Sequence, residues 1–469
     1  MRSNYMSISK TLCVLLSSTI LFGCLNTQEI EPSESMTTVK FAQFNVSFAH
    51  DGDPSENFEQ WVEFMNIEPQ TQNRLINSWL TNALNEDEKK LAERIIQIRN
   101  IAAIIQQVRP DVLLLNEFNN DGTGQSREAI DGFQKNYLSQ PQSLNSVNSG
   151  NLQRPIYYPF KQSYATNTGL HAGIDLNNNG LSKADPNDAY GFGFYHGHYA
   201  FALFSKYKID TENTRTFQTF KRKDLPSAIM PVVNVCKEDK PLPDALQCGD
   251  NWFNEEQWEA LRLSSKNHVD APIIIPTPNG KVVINALLAH PTPPAFDTFS
   301  DNNKYRNSEE NLFWLHYIQG EHTLYDDNKR KGGFNGEHFV LMGDLNADAT
   351  TRTGADERFN GINQLMSHAL VNQDVSQANG EFAPASLGGL EANSKRPHPM
   401  PATRTSTFGV RADYAVPSAS LKVIESGVYW QAKGAEGELL FNDSRIGKRG
   451  SDKEVSSDHR LVWATVQID

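Results

Sequence analysis

The sequence predicts an α/β protein, a sandwich of helices packed on sheets, and three observations carry that prediction. Apolar runs of strand length recur from residue 39 to residue 468, and helix-patterned or loop segments separate them from end to end. With 38% hydrophobic and 10% aromatic residues, the 469-residue chain can build a large core. No internal repeat and no interior low-complexity stretch marks a linker, so a single domain over residues 38–469 is expected.

Residues 39–46 read as the first strand. Leu91, Ile95, Ile98, Ala102, Ile105 and Val108 then fall at helical spacing, with Asn85 and Glu88 as a capping box and Pro110 closing the segment. Residues 111–117 follow, and four apolar residues in a row, Val112 to Leu115, predict a strand buried on both faces. Further strands are expected at 199–205, 281–290, 338–344, 412–416, 421–429 and 460–468, with a helix at 308–319 between two of them.

The N-terminus has a different character. Arg2 and Lys10 precede an apolar stretch over 11–22, then Gly23 and Cys24, the order of a signal peptide spanning residues 1–23. The run is shorter than the ~20 residues that a bilayer crossing needs. Leu21-Phe22-Gly23-Cys24 resembles a bacterial lipobox, with Phe22 bulkier than usual, so Cys24 is expected to carry lipid. Residues 24–37, mostly polar with Glu29, Glu31 and Glu34 around Pro32, read as a flexible tether. Leu25 in place of Asp favours the outer membrane or cell surface of a Gram-negative bacterium; a soluble periplasmic or secreted protein is the alternative.

Without residues 1–23 the chain carries 56 acidic against 41 basic side chains, a net charge of −15. Such a field repels polyanions, which counts against long nucleic acid as a partner. In an oxidising compartment Cys236 and Cys248 are expected to pair as a disulfide, with free thiols the alternative.

Polar, metal-capable residues stand at the exits of the apolar strands. Asn45 ends the first, Glu117 the second, His290 the run after Lys281, and Asp344 with Asn346 the run after Phe339. Asp413 lies in Arg411-Ala-Asp-Tyr-Ala415, and Asp458-His459 opens the last strand. One such ending is ordinary, because a strand needs a solvated end and Asn or Asp often caps a turn. Six together point to one cleft at one rim.

Gln43-Phe-Asn-Val46, Arg109 to Glu117, Ala289-His-Pro-Thr292, Gly343-Asp-Leu-Asn346, Arg411-Ala-Asp-Tyr414 and Ser457-Asp-His459 together resemble the endonuclease/exonuclease/phosphatase family, in family order and over nearly all of the mature chain. The stretches Arg262 to His268 and His290 to Asp297 resemble a bacterial extracellular branch. The resemblance implies a four-layered α/β sandwich, with two mixed sheets face to face and helices outside. It also implies a divalent-metal-dependent hydrolase of phosphoric esters. Glu117 would ligate the cation, with Asn45 and Asp458 beside it, and an oxygen-rich set suits Mg²⁺, Mn²⁺ or Ca²⁺ rather than zinc. His459 would act as general base on the attacking water, oriented by Asp413, or else bind the phosphoryl group. Asp344 and Asn346 would position the nucleophile and a phosphate oxygen, and His290 would stabilise or protonate. Phosphoryl transfer needs in-line positioning and charge neutralisation, which this set supplies without a covalent intermediate.

A second constellation, Asp175-Leu-Asn177-Asn-Asn179-Gly180 followed by Asp185 and Asp188, matches the first half of an EF-hand-like loop. Position twelve is Pro186 instead of an acid, so a structural Ca²⁺ and a solvated Asn/Gly turn both remain open.

The expected partner is a small phosphate ester, met by a monomer held at the membrane through Cys24. Three rivals stand. A secreted nuclease would need a basic groove, and only Lys221-Arg-Lys223 and Lys329-Arg-Lys331 are basic runs. A sphingomyelinase-like or phospholipase-like enzyme would need an exposed aromatic hairpin, for which Trp252, Phe253 and Trp258 are the candidates unless they are core. From another class, a surface lipoprotein could have kept the fold for binding alone.

Overall fold

The computed structural model describes residues 36–48, 57–181, 185–351 and 356–468. The expected signal peptide, Cys24 and most of the tether lie outside these residues. No described helix is long and apolar enough to cross a membrane.

In chain order, β1 (Thr37–Asn45) leads through α1 (Phe58–Asn66), α2 (Pro69–Leu80) and α3 (Glu86–Val108) into β2 (Val112–Asn116). Then come α4 (Glu128–Phe133), β3 (Phe160–Ser163), β4 (Phe201–Ser205), the short β5 (Lys208–Ile209) and β6 (Arg215–Thr216), and α5 (Glu255–Ala260). A hairpin of β7 (His268–Thr277) and β8 (Gly280–Ala289) precedes α6 (Asn302–Ile318) and β9 (His338–Asp344). The chain ends with β10 (Asp413–Pro417), β11 (Lys422–Val428) and β12 (Val462–Ile468).

Two mixed six-stranded sheets result. One has the order β11-β12-β1-β2-β4-β3; the other runs β10-β9-β8-β7-β5, with β6 also paired to β7. Alternation along the strands makes the sandwich: Val39, Phe41, Val112 and Leu114 face a core shared with Ile273, Ile284, Leu341 and Val416 of the second sheet. Ala42, Phe44, Leu113 and Leu115 face the opposite way, against Ile95, Ala102 and Ile105 of α3. Phe313 and Trp314 of α6 join the first cluster from the second sheet's side. These are the four layers, and they explain why β2 is buried at every position and apolar from Val112 to Leu115.

The α3 capping box forms as expected: the Asn85 side chain accepts from the Glu88 N–H, and the Glu88 carboxylate accepts from the Asn85 N–H. Arg109 ends the helix in the left-handed region, φ 55°. Two elements differ from expectation. β7 carries Pro272 and Pro276, residues that weaken a strand pattern because they cannot donate to a ladder, yet it pairs with β8 over its whole length. α6 begins at Asn302, six residues earlier than its apolar stripe suggests, because its first residues are polar: 302–306 are only half-buried and Asn307 is a buried polar residue.

Candidate active site

Each sheet has one parallel pair at its centre, β1 with β2 and β8 with β9. Parallel neighbours need a crossover, supplied by α1–α3 in one case and α6 in the other, so all four strands end at the same rim. Asn45 and Glu117 stand at the first pair of ends, His290 and Asp344 at the second. Antiparallel pairing brings the other residues to this rim from the opposite direction: Asp413 starts β10 directly across from Asp344, and His459 lies three residues before β12, whose Val462 pairs with Gln43.

Asp344 Oδ2 is the meeting point. Asn45 Nδ2 donates to it at 3.0 Å and Asn346 Nδ2 at 3.4 Å, with His290 Nε2 at 3.5 Å and His459 Nε2 at 3.7 Å. Asn346 N–H donates to Asp344 Oδ1 at 3.0 Å. His459 Nδ1 lies 2.9 Å from Asp413 Oδ2, which also accepts from Thr405 Oγ1 at 2.7 Å. Thus the tautomer is set from behind and Nε2 points into the site. The Asp413 and Asp344 carboxylates outweigh the burial of the ring and raise His459 to about 10. His290 is pushed well below its ordinary value by burial and by the charges of Lys266 and His459, which suits it to hydrogen bonding as a neutral ring. Burial likewise raises Asp344, to about 6, against the pull of His459.

Glu117 is resolved differently. Its Oε1 accepts from Asn45 Nδ2 at 3.0 Å, but its Oε2 is shielded from solvent and has no hydrogen-bond partner. Burial pushes the carboxyl up to about 7, Lys453 opposing and Asp458 reinforcing. A buried carboxylate short of one donor fits a cation. Asp458 accepts from Ser47 Oγ at 2.7 Å and has Lys453 Nζ at 3.6 Å. Asn45 serves here as a bridge: its amide N–H groups reach both Glu117 and Asp344, and its Oδ1 accepts from Ser47 N–H. Asp344, Asp413 and His459 form a second set able to hold an ion, with donor atoms within 4.8 Å of one another. The Nδ1 to Asp413 hydrogen bond already occupies that set, so the unpartnered Glu117 oxygen is the better cation position. Glu117 and Asn346 both have positive φ, 57° and 51°, a backbone strain that aims side chains at the rim.

Sequence reasoning overlooked the supports. Asn116, buried, accepts from Gln43 Nε2 at 2.8 Å and from Asp344 N–H at 3.1 Å and donates to Ala289 O at 3.3 Å, tying the sheets together behind the site. Glu310 of α6 accepts from the N–H groups of Ser265 and Thr292, both at 2.6 Å, fixing the segments that carry Lys266 and His290. Lys266 is itself buried beside the charges of Glu310, Glu117 and Asp344, and burial lowers its pKa. Its only sequence signal was its place in the stretch Arg262 to His268, two residues before β7. Elsewhere Cys236 and Cys248 are joined by a disulfide, Cα atoms 6.1 Å apart. Trp252 and Phe253 are buried in a satellite core with Leu176, Val233 and Leu261, which answers the open question about the aromatic hairpin. Arg222 and Arg330 of the two basic runs are paired, with Glu309 and Asp326 respectively.

Comparison with curated protein sequences gave no match. Among solved structures, an endonuclease/exonuclease/phosphatase from Beutenbergia cavernae is similar at 13% identity and TM-score 0.39, covering 92% of this chain and 72% of that one. A family protein from Bacteroides thetaiotaomicron has 11% identity and TM-score 0.39 over 93% of this chain and all but 3% of that one, which is covered to 97%. A mannosyl-6-phosphatase from the same organism has 10% identity and TM-score 0.38, with 92% and 100% covered. Likenesses of this size say nothing about substrate. The profile of the Endonuclease/Exonuclease/phosphatase family matches residues 43–459, from the first site strand to His459. The chain belongs to that family and is a hydrolase of phosphoric esters.

Proposed function

We propose that this protein is an exported, lipid-anchored phosphoesterase that uses a divalent cation to hydrolyse a small external phosphate ester by direct attack of water. The observation that carries the reading is the single rim where a cation-ready Glu117 faces an imidazole–carboxylate cluster built on Asp344. Glu117 and Asp458, with Asn45 beside them, would hold Mg²⁺ or Mn²⁺, with Ca²⁺ a third candidate. Such an ion supplies neutralisation of charge on the phosphoryl oxygens.

The chain's own groups do the rest. A water held beside Asp344 Oδ2 and His459 Nε2 loses its proton to His459 when the imidazole is in its neutral form, so turnover should rise with pH toward the raised pKa of that ring, while Asp413 keeps Nδ1–H turned away from the reaction. Asn346, held by its bonds to Asp344 and to Pro291 O at 3.1 Å, and the neutral His290 would hold phosphoryl oxygens by hydrogen bonds. Lys266 adds a positive charge on the same side. The proposed assembly is a monomer.

A small substrate is favoured over long nucleic acid because the acidic chain spends its basic runs on internal pairs: Arg222 with Glu309, and Arg330 with Asp326. A lipid substrate taken from a bilayer is disfavoured by the burial of Trp252 and Phe253.

The deciding assay is a panel of phosphomonoesters, phosphodiesters, phospholipids and DNA, each with Mg²⁺, Mn²⁺ and Ca²⁺. Turnover of small esters is expected; preference for DNA would establish the nuclease instead. No turnover on any phosphoester would leave a binding lipoprotein. Anchoring is tested by Cys24→Ser, which should move the protein out of the membrane fraction; unchanged partitioning removes the lipid assignment.

A further inference from the structure

The described residues 170–181 and 185–190 lie outside the rim and hold an unusual density of oxygen side chains. Asp175 receives three backbone N–H groups: Asn177 and Asn179 donate to its Oδ1 at 3.2 and 3.3 Å, and Gly180 donates to its Oδ2 at 2.8 Å. Gly180, φ 80°, makes the turn that a side chain would strain. The Asn177 and Asn179 amides converge on Asp185 Oδ2 at 2.6 and 2.7 Å.

The observation that points to a ligand is Asp188. It is fully buried, its Oδ1 accepts from the Leu176 N–H at 2.8 Å, and its Oδ2 has no hydrogen-bond partner. Burial raises its pKa, and the neighbouring carboxylates of Asp175 and Asp185 raise it further, so it faces the same cluster. Among the described residues no lysine or arginine forms an ion pair with any of the three. A fully buried carboxylate oxygen without a hydrogen-bond partner, next to two more carboxylates, is unfavourable unless a cation joins it.

We propose that Asp175, Asn177, Asn179, Asp185 and Asp188 form a structural Ca²⁺ site, separate from the catalytic rim and independent of the function proposed above. The donor set is oxygen alone, which suits Ca²⁺ better than zinc, and it comes from a loop with half-exposed members, which suits the variable coordination of Ca²⁺ over the strict octahedron of Mg²⁺. The missing acid at position twelve is supplied by its neighbours on both sides: Asp185 precedes Pro186, and the short helical turn Pro186–Asp188 carries Asp188 inward. Half-turns of the Asn177 and Asn179 amides would exchange their N–H groups for oxygens at the cluster.

The site would clasp the loop to the body of the protein. Leu176 packs with Trp252, Phe253 and Leu261. Asn178 Nδ2 donates to Trp252 O at 2.8 Å, and Gln257 Nε2 donates to Asp175 O at 2.6 Å. The chain leaving the loop runs directly to the segment that bears His196 and Tyr199. A bound ion therefore fixes one wall beside the rim.

Calcium titration by calorimetry, with thermal melting of the full chain in 0 and ~1 mM Ca²⁺, tests this. Glu117→Gln, which lacks the proposed catalytic ligand, should still bind one Ca²⁺, with Kd in the ~10⁻⁴ to 10⁻³ M range of extracellular calcium modules. Its Tm should rise by a few degrees. Asp188→Asn and, separately, Asp175→Asn should weaken that binding at least tenfold and abolish the Tm rise. Asp175 is half-exposed, so its variant keeps the test alive should Asp188→Asn fail to fold. Ca²⁺ binding that Asp175→Asn leaves unchanged overturns the site, as does binding that disappears in Glu117→Gln alone or a parent chain that binds no Ca²⁺ at ~10 mM.

Discussion

The two halves of the catalytic rim are built on the same plan and solve the problem of buried charge in opposite ways. Each is a parallel strand pair joined by a helical crossover: β1 and β2 end in Asn45 and Glu117, β8 and β9 in His290 and Asp344. On the second half the carboxylates are balanced from within, because His459 stands between Asp413 and Asp344 and carries the proton both of them favour. On the first half Glu117 has an amide on one oxygen and nothing on the other, with Lys453 turned to Asp458. A site that neutralises one half with its own imidazole and leaves the other half short of positive charge is arranged to receive a cation on one side and to move a proton on the other.

The sharpest way to break this comparison is to remove the cation. Chelation with EDTA should abolish turnover and added Mg²⁺ or Mn²⁺ should restore it, while Glu117→Gln should stay near the chelated rate at any metal concentration. Activity that survives both treatments would make the halves equivalent and take the metal out of the mechanism.

The second half is tested through its pair. His459→Ala should lower kcat by the ~10² to 10⁴ typical of lost proton transfer, without loss of fold, since the ring lies at a rim. Asp413→Asn should cost the same or less. Because the two side chains act as one unit, the double variant should be little worse than the poorer single one. Multiplicative losses would show that they work independently. The pH profile gives the sign: Asp413 favours the charged imidazole, so its loss lowers the His459 pKa, and the imidazole limb of the Asp413→Asn profile should lie at lower pH than in the parent. A limb that stays in place would detach Asp413 from His459.

A smaller effect probes what joins the halves. Asn116→Ala removes the acceptor of the Asp344 N–H and the Gln43 amide, and one donor to the Ala289 carbonyl, at about 1–3 kcal/mol for an unsatisfied buried group. Denaturant unfolding should show a loss of that order, and activity should fall with it as Asp344 loosens. A variant as stable as the parent would mean that the sheets hold their spacing without this amide.

The strands that reach the rim were legible because each is an apolar run ending in a polar residue, and periodicity locates both features. The long helix was legible for the same reason, with the Asn85 and Glu88 caps marking its start. β7 was not, since Pro272 and Pro276 break its pattern and only pairing with β8 compensates for them. The first turns of α6 were hidden because residues 302–307 carry no apolar stripe, and the buried Asn307 makes sense only once the Thr292 and Leu345 carbonyls that it donates to are in place. Lys266 was passed over because a single lysine before a strand has no periodic signature.

Local sequence, then, determined which residues could carry chemistry, the strand ends they occupy and the acidic charge around them, because residue type and period are properties of the chain itself. Tertiary structure alone decided the roles. Asn45 became a bridge between two carboxylates, Glu117 kept an oxygen unsatisfied, and Asp188 was folded inward beside Asp175 and Asp185 to complete a loop that lacks its twelfth-position acid. Each outcome depends on which donor stands within about 3 Å of an oxygen, and those donors come from residues up to several hundred positions away, as with Asn45 and Asp344.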